Sequence, residues 1–139
     1  MSTIKLYDAK LLRRYYDQRA LSSIGKTAKP FQLLKAAWGK GFVEMIDGKP
    51  SVSDIPLDTS QIQGEFARTD LVTSYTSGRI TVRAVLPKGA VPPGEAHDFT
   101  ALYILDQEEK VVAIMASTPV SVHDKRSLSV EGFIDTNIA

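Results

Sequence analysis

The second half of the chain restricts the fold more than any other feature, because it contains five runs of β-type sequence separated by turn residues. Residues 70–86, DLVTSYTSGRITVRAVL, predict two strands that pair around Ser77-Gly78. Such a small-residue pair is typical of a two-residue hairpin turn. In the second strand of this pair, apolar and polar residues alternate, which indicates a strand with one buried face.

A second hairpin is predicted from residues 99–105, FTALYIL, and residues 111–117, VVAIMAS, which flank the polar turn DQEEK. Both runs are apolar on both faces, so we expect them to lie in the centre of a sheet. Residues 87–98 hold three prolines and two glycines and are predicted to be a connection. Residues 127–134, SLSVEGFI, predict a last strand.

A helix is predicted near the N-terminus, over residues 9–22, AKLLRRYYDQRALS. Asp8 is the expected N-cap, and Gly25 is the expected stop. Helical spacing predicts one buried face with four members, Ala9, Leu12, Tyr16 and Ala20.

The segment between the helix and the first hairpin has weaker patterns. Residues 31–38 favour a strand, and residues 42–46, FVEMI, predict a second short strand that ends at the Asp47-Gly48 turn. Residues 49–68 contain two prolines and scattered polar side chains. They predict an extended loop with one helical turn near Gln61, and a loop of this length is usually functional or a packing arm.

These elements together predict an α+β fold, in which an N-terminal helix is followed by an antiparallel β-sheet or β-sandwich with long connecting loops. The length of 139 residues and the hydrophobic fraction of 43% fit a single domain over residues 1–139. Its β-rich part is expected over about residues 31–135.

Residues 20–27, ALSSIGKT, fit the loose form of a phosphate-binding loop and raise the hypothesis of a nucleotide-binding enzyme. That loop requires a strand before it and the start of a helix after it. Here Gly25-Lys26-Thr27 follows a predicted helix, and Pro30 disfavours helical geometry at Lys29. We therefore interpret the match as a helix end and a connector.

The composition offers few groups for chemistry. Cysteine is absent, and the two histidines, His97 and His123, lie in polar connections without the ligand clusters that metals prefer. We predict no catalytic residue, no cofactor and no metal. A net charge of +1 and the lack of an apolar run of about 20 residues predict neither a nucleic acid nor a membrane as partner.

A contact with another protein is the remaining hypothesis. Phe66 stands in the predicted long loop, outside the core elements, and is expected to anchor an interface. The basic residues of the helix lie mostly off its apolar face, where they are either solvated or in contact with a partner. The predicted partner-contact residues are Arg13, Arg14, Tyr15, Phe66 and Arg68.

Three stretches taken in order resemble the N-terminal attachment domains of phage tail-collar fibre proteins. Residues 36–41, AAWGKG, resemble that family's A-x-G-D-G turn, although Lys40 stands where the family often has Asp. Residues 54–68 resemble the linker that follows the turn, with its Glu-Phe-Ala-Arg element. Residues 75–115 resemble the two hairpins that come next, joined by a proline-rich segment.

The resemblance implies a structural protein that attaches a tail fibre to the tail or baseplate, or forms the base of the fibre, without catalysis. It also implies a homotrimer whose partners are a tail or baseplate protein and a further fibre chain. The expected location is the virion, after synthesis in the host cytoplasm, and a free-standing adaptor is a variant of this role. The alternative is a small ligand- or glycan-binding β-sandwich, which predicts a concave aromatic patch on one sheet face.

Overall fold

A computed structural model describes residues 2–5 and 9–136, with side chains from residue 9 onward. This part of the chain forms ten strands and one helix. Their bounds are β1 Ser2–Lys5, β2 Lys10–Leu11, α1 Arg13–Ser23, β3 Lys35–Lys40, β4 Val43–Ile46, β5 Lys49–Val52, β6 Gln63–Thr76, β7 Arg79–Leu86, β8 Ala96–Leu105, β9 Val111–His123 and β10 Leu128–Asp135.

Eight of these strands form one sheet in the order β1-β10-β7-β6-β3-β8-β9-β2, and β4 and β5 form a separate two-stranded sheet. Neighbours in the large sheet are antiparallel except β1 and β10, which are parallel. β6 joins the two halves of the sheet, because residues 63–70 pair with β3 and residues 71–76 pair with β7.

The main core lies inside this curled sheet. Val82 on β7 and Leu128 on β10 belong to the same buried cluster as Trp38 on β3 and Met115 on β9. A Cβ atom built on Gly132 of β10 would collide with the sulfur of Met115, so β10 and β9 pack closely across the core. The sheet is therefore a half-barrel whose two halves face each other.

The prediction of an α+β fold with a helix-led N-terminus is wrong. Two strands, β1 and β2, precede α1, and the helix has 11 residues with Tyr15 as its one buried side chain in the described part of the chain. The sheet supplies its own core by curling, so the helix adds little to the buried interior. Sheet curvature depends on pairing between distant strands, which no local pattern encodes.

A second, smaller core covers the outer face of β3, β8 and β9. Phe42, Ile55 and Ile62 pack there against fully buried residues that include Tyr103. β8 and β9 are consequently buried on both faces, and the prediction that this hairpin is central is confirmed. The first hairpin is also confirmed, because β6 and β7 meet at Ser77 and Gly78, which both have positive φ.

The helix predicted over residues 9–22 is correct at its end and wrong at its start, because Lys10 and Leu11 form β2. Of the predicted buried face, only Leu12 is buried. The helix begins at Arg13 and ends at Ser23, and Gly25 follows it at φ +73° as expected for a stop. The expected N-cap, Asp8, lies outside the described residues. Tyr16 and Ala20 are exposed rather than buried, because the helix turns Tyr15 toward the sheet together with polar side chains.

The first half contains more strand than the sequence predicts. The predicted loop over residues 49–68 begins with β5 and ends inside β6, which leaves residues 53–62 as the connection. The predicted strand over residues 31–38 starts later, at Lys35. The short strand over residues 42–46 is confirmed as β4, which turns at Asp47 and Gly48, both with positive φ.

Candidate interaction surfaces

The start of the helix is held to the β8–β9 turn by a cluster of charges. Arg14 Nε donates to Asp106 Oδ2 at 2.7 Å, and Arg14 Nη2 donates to Glu108 Oε2 at 2.7 Å. Asp106 is fully buried, and its Oδ1 accepts from the backbone N–H groups of Glu108 at 2.9 Å and Lys110 at 3.1 Å. Burial alone lowers the pKa of Arg14, but these hydrogen bonds raise it above its usual value. Arg14 therefore anchors the helix as a permanent cation.

The same end of the helix is tied to the connection over residues 53–62. The backbone N–H of Arg13 donates to the carbonyl of Leu57 at 3.0 Å, and the Arg13 side chain pairs with Asp58. Both charged side chains are largely exposed to solvent. The ion pair is consequently screened, while the backbone hydrogen bond makes the helix and the connection one continuous surface.

Exposed apolar side chains gather on that surface. Tyr16, Leu57 and Phe133 line one groove of about 360 Å³ and are 45%, 38% and 40% exposed. Leu57 also lines a neighbouring groove of about 340 Å³ together with Leu21, which is 39% exposed. We call these four residues, Tyr16, Leu21, Leu57 and Phe133, the helix–loop surface. Contiguous apolar side chains on a protein surface are a common mark of a contact site.

The other predicted contact residues have internal partners. Tyr15 is 2% exposed and packs edge-on against Phe31, with ring centroids 5.4 Å apart. Phe66 is half-buried and stacks on His97, with centroids 4.7 Å apart and ring planes 1° apart. Phe66 lies within β6, so the prediction that it stands in a long loop is wrong.

Arg68 on β6 pairs with Glu65 through two hydrogen bonds of 2.7 and 2.8 Å and lies 3.4 Å from Glu109. Glu109 and Glu108 are neighbours in the β8–β9 turn, and Glu108 is a partner of Arg14. The structure therefore brings Arg14 of α1 and Arg68 of β6 to neighbouring residues of one turn. Sequence spacing contains no signal for this convergence, because the partners are more than 40 residues apart.

A larger groove opens at the end of the half-barrel. It has a volume of about 460 Å³ and lies between the segment that follows α1 and the tip of the β6–β7 hairpin. Its lining is uncharged throughout and consists of Tyr15, Phe31, Gln32, Leu33, Thr73, Ser74, Tyr75 and Ile80. Tyr75 is 59% exposed at its rim. An uncharged, largely apolar groove is suited to an apolar partner group.

The β4–β5 hairpin forms a sheet of its own, with β5 in contact with β9 of the large sheet, and it carries further apolar side chains. Its register pairs Val43 with Val52 and Met45 with Pro50, so these four residues share one face of the hairpin. Met45 is 66% exposed, and its neighbour Ile46 is 50% exposed. The prediction of a loop after residue 49 missed this face. The face could have been found by aligning residues 43–46 with residues 49–52 as two strands of a hairpin around the Asp47-Gly48 turn.

Reactive groups are dispersed over the residues described. No set of three or more histidine, aspartate or glutamate side chains comes together there as a metal site would require. His97 Nε2 lies 3.2 Å from Glu95, whereas His123 Nδ1 accepts from the backbone N–H of Lys125 at 3.2 Å. Gly25-Lys26-Thr27 follows the end of α1 instead of preceding a helix. Within residues 2–5 and 9–136, no helix is long and apolar enough to cross a bilayer.

Comparisons with known proteins identify the family. The family model described as Bacteriophage P1 tail fiber protein R matches residues 1–138. Tail fiber protein R of Escherichia phage P1 is 30% identical over 138 residues, which cover 96% of this chain and 95% of that relative. No solved structure matches the chain.

These matches confirm the resemblance to phage tail-fibre proteins and the prediction of a structural virion role. They also imply a component of the virion that associates with other tail or fibre components, and a family without enzymatic activity. The chain belongs to the bacteriophage P1 tail fiber protein R family and is a structural protein of a phage tail fibre.

Proposed function

We propose that this protein attaches a tail fibre to the tail or baseplate, or forms the base of that fibre, as a non-catalytic homotrimer. It is made in the host cytoplasm and then joins the particle. The observation that carries the attachment role is the helix–loop surface, where Tyr16, Leu57 and Phe133 remain 38–45% exposed around one groove. Covering these side chains with a neighbouring tail protein removes apolar area from water and so favours assembly.

The five predicted contact residues divide between direct and supporting roles in this proposal. Arg13 is exposed at the edge of the helix–loop surface and is available to exchange Asp58 for a carboxylate on the neighbour. Arg14 and Tyr15 hold the helix in place from below, through Asp106 and Phe31. Phe66 and Arg68 lie on β6, and we assign them to a second contact along that strand, with Phe66 beside His97 and Arg68 beside Glu109.

Incorporation into particles tests the attachment role. A phage that lacks this protein would be complemented with the wild type or with Tyr16→Asp/Leu57→Asp, and purified particles would be assayed for the protein and for infectivity. We expect the double variant to be soluble and folded but at least tenfold depleted from particles. Val72→Asp is the matched control, because Val72 is 65% exposed and lines neither groove of the helix–loop surface. Normal incorporation of the double variant would overturn the proposed attachment surface.

The homotrimer is tested separately by the solution mass of the purified protein, measured by size-exclusion chromatography with light scattering. A mass three times 15.2 kDa supports it, and a mass of 15.2 kDa contradicts it.

The alternative of a glycan-binding module receives little support from the large groove. Tyr15 is almost fully buried between Phe31 and Tyr16, with the Arg19 guanidinium 5.5 Å from its ring centroid, so this ring has no open face on which a sugar could stack.

A further inference from the structure

The β4–β5 hairpin has the form of a docking element. A two-stranded hairpin by itself is marginally stable in water, and this one forms its own sheet outside the eight-stranded sheet. At its base, Val43 and Val52 are half-buried, whereas Met45 and Pro50 nearer the tip are exposed on the same face. Ile46 adds a third exposed apolar side chain next to the turn, on the other face of the hairpin. The tip is thus a projecting apolar group that no described part of the chain covers.

The groove of about 460 Å³ offers the matching concave site on the same chain. None of its lining residues comes from the hairpin. Tyr75 pairs with Ile80, and Thr73 pairs with the buried Val82, so the groove continues the inner face of the half-barrel beyond the end of the core. This part of the inner face lacks the covering side chains that bury Val82. It is therefore an apolar site without an apolar occupant.

The charges beside the two features are complementary. Glu44 and Asp47 on the hairpin form no ion pair with a described residue, and with Lys49 they give the tip a net charge of −1, from two acids and one base. Arg19 is not part of the groove lining, but its guanidinium lies 5.5 Å from the ring centroid of Tyr15, which is part of it. Arg19 likewise has no ion-pair partner among the described residues. An acidic tip and a cation beside the groove favour each other, and the same cation disfavours a like-charged partner.

We infer that the β4–β5 hairpin of one copy inserts its tip into the large groove of a second copy. The contact joins two different surfaces, so it is head-to-tail, and each copy both gives a hairpin and receives one. Contacts of this kind close into rings when the rotation between copies allows it. This inference rests on the proposed function, for which it supplies the self-contact of the homotrimer.

Engineered cysteines test the contact directly, because the natural chain contains none. Met45→Cys places a thiol on the tip, and Thr73→Cys places one in the groove, on the same face of β6 as Tyr75. After mild oxidation, a mixture of the two single variants should give a disulfide-linked dimer that contains one chain of each. Either variant alone should give no dimer. Dimers of Met45→Cys with itself would overturn the inference in favour of a symmetric pairing, and the absence of any mixed dimer would also overturn it.

The solution mass provides the second measurement. Met45→Asp/Ile46→Asp should raise the dissociation constant of self-association at least tenfold, while Val72→Asp should leave it unchanged. Arg19→Glu should also weaken association, and adding Asp47→Arg should restore it. Because these positions are exposed, circular dichroism should show native folding in every variant. If the double aspartate variant associates as the wild type does, the inference is wrong.

The proposed attachment surface and the inferred self-contact can be refuted independently of each other. A protein that shows no hairpin-to-groove disulfide, yet depends on Tyr16 and Leu57 for incorporation into particles, loses the inferred self-contact and keeps the attachment role. A protein that forms the mixed disulfide, yet joins particles normally when Tyr16 and Leu57 are aspartates, loses the proposed attachment surface and keeps the self-contact.

Discussion

Arg14 on the helix and Asp106 in the β8–β9 turn form a hydrogen-bonded ion pair of 2.7 Å across a sequence separation of 92 residues. Asp106 is fully buried, and its second oxygen closes the turn by accepting two backbone N–H groups. One carboxylate thus shapes the turn and positions the helix. The helix–loop surface depends on this pair, because the helix has little apolar packing of its own beyond Tyr15.

Asp106→Ala is expected to lower the free energy of unfolding by about 3 kcal/mol, because it leaves Arg14 and two backbone donors without their acceptor. Arg14→Met should cost less, about 2 kcal/mol, because the buried carboxylate of Asp106 loses its cation but keeps its two backbone donors. Urea unfolding followed by circular dichroism measures both. Equal losses in the two variants would contradict the dual role of Asp106.

Gly132→Ala tests the close approach of β10 and β9. The added Cβ would collide with Sδ of Met115 and lie 2.6 Å from its Cε, so this fully buried side chain would have to shift within the core. We expect a loss of about 1–3 kcal/mol of stability from this overpacking. Met115→Val in the Gly132→Ala background should recover part of it, and a double-mutant cycle measures the coupling. Strictly additive effects would show that the two residues do not meet.

Tyr103→Phe should reduce the sensitivity of the fold to alkali. Burial raises the pKa of Tyr103 above 10, its usual value, although the hydrogen bond from the backbone N–H of Gln63 acts in the opposite direction. As the pH rises above 10, tyrosine in the unfolded chain ionises while folded Tyr103 keeps its proton. Unfolding then releases a proton, so stability falls as the pH increases.

This dependence is measured by urea unfolding at pH 8 and at pH 10.5. Wild type should lose more stability between the two than Tyr103→Phe does. Thr69→Val is the control, because it removes the 2.9 Å hydrogen bond from Trp38 Nε1 and no titrating group. The Thr69→Val variant should be destabilised by a similar amount at both pH values. An unchanged alkaline loss in Tyr103→Phe would refute the assignment.

Lys26→Ala should leave nucleotide binding at the background level of the wild type. Gly25-Lys26-Thr27 follows the end of α1, and Gly25 donates its N–H back to the helical carbonyl of Ser22 at 3.1 Å. A phosphate site would need a strand before this loop and a helix after it. Equilibrium dialysis with ATP and magnesium measures binding. Saturable binding that the variant abolishes would restore the enzyme hypothesis.

Local sequence patterns predicted the elements that depend on turn residues and on the alternation of apolar and polar side chains. The hairpin at Ser77-Gly78 follows from turn chemistry and two-residue alternation, and the β8–β9 hairpin from two apolar runs around a polar turn. The start of β6 and all of β5 were missed, since their polar residues take strand geometry from pairing with β3 and β4. The helix face was wrong because Arg14 turns it toward Asp106, a residue distant in sequence.

The sequence by itself determined the family, the β6–β7 and β8–β9 hairpins, the end of the helix and the structural role, since each depends on residue types in their chain order. Only the tertiary structure decided that the sheet curls into a half-barrel. It also decided which residues pair with the arginines of α1 and β6, and which apolar side chains stay exposed. The physical reason is that curvature, burial and ion pairing depend on contacts between distant segments. A chain pattern specifies which residues prefer to be buried, and only the folded sheet specifies which of them are.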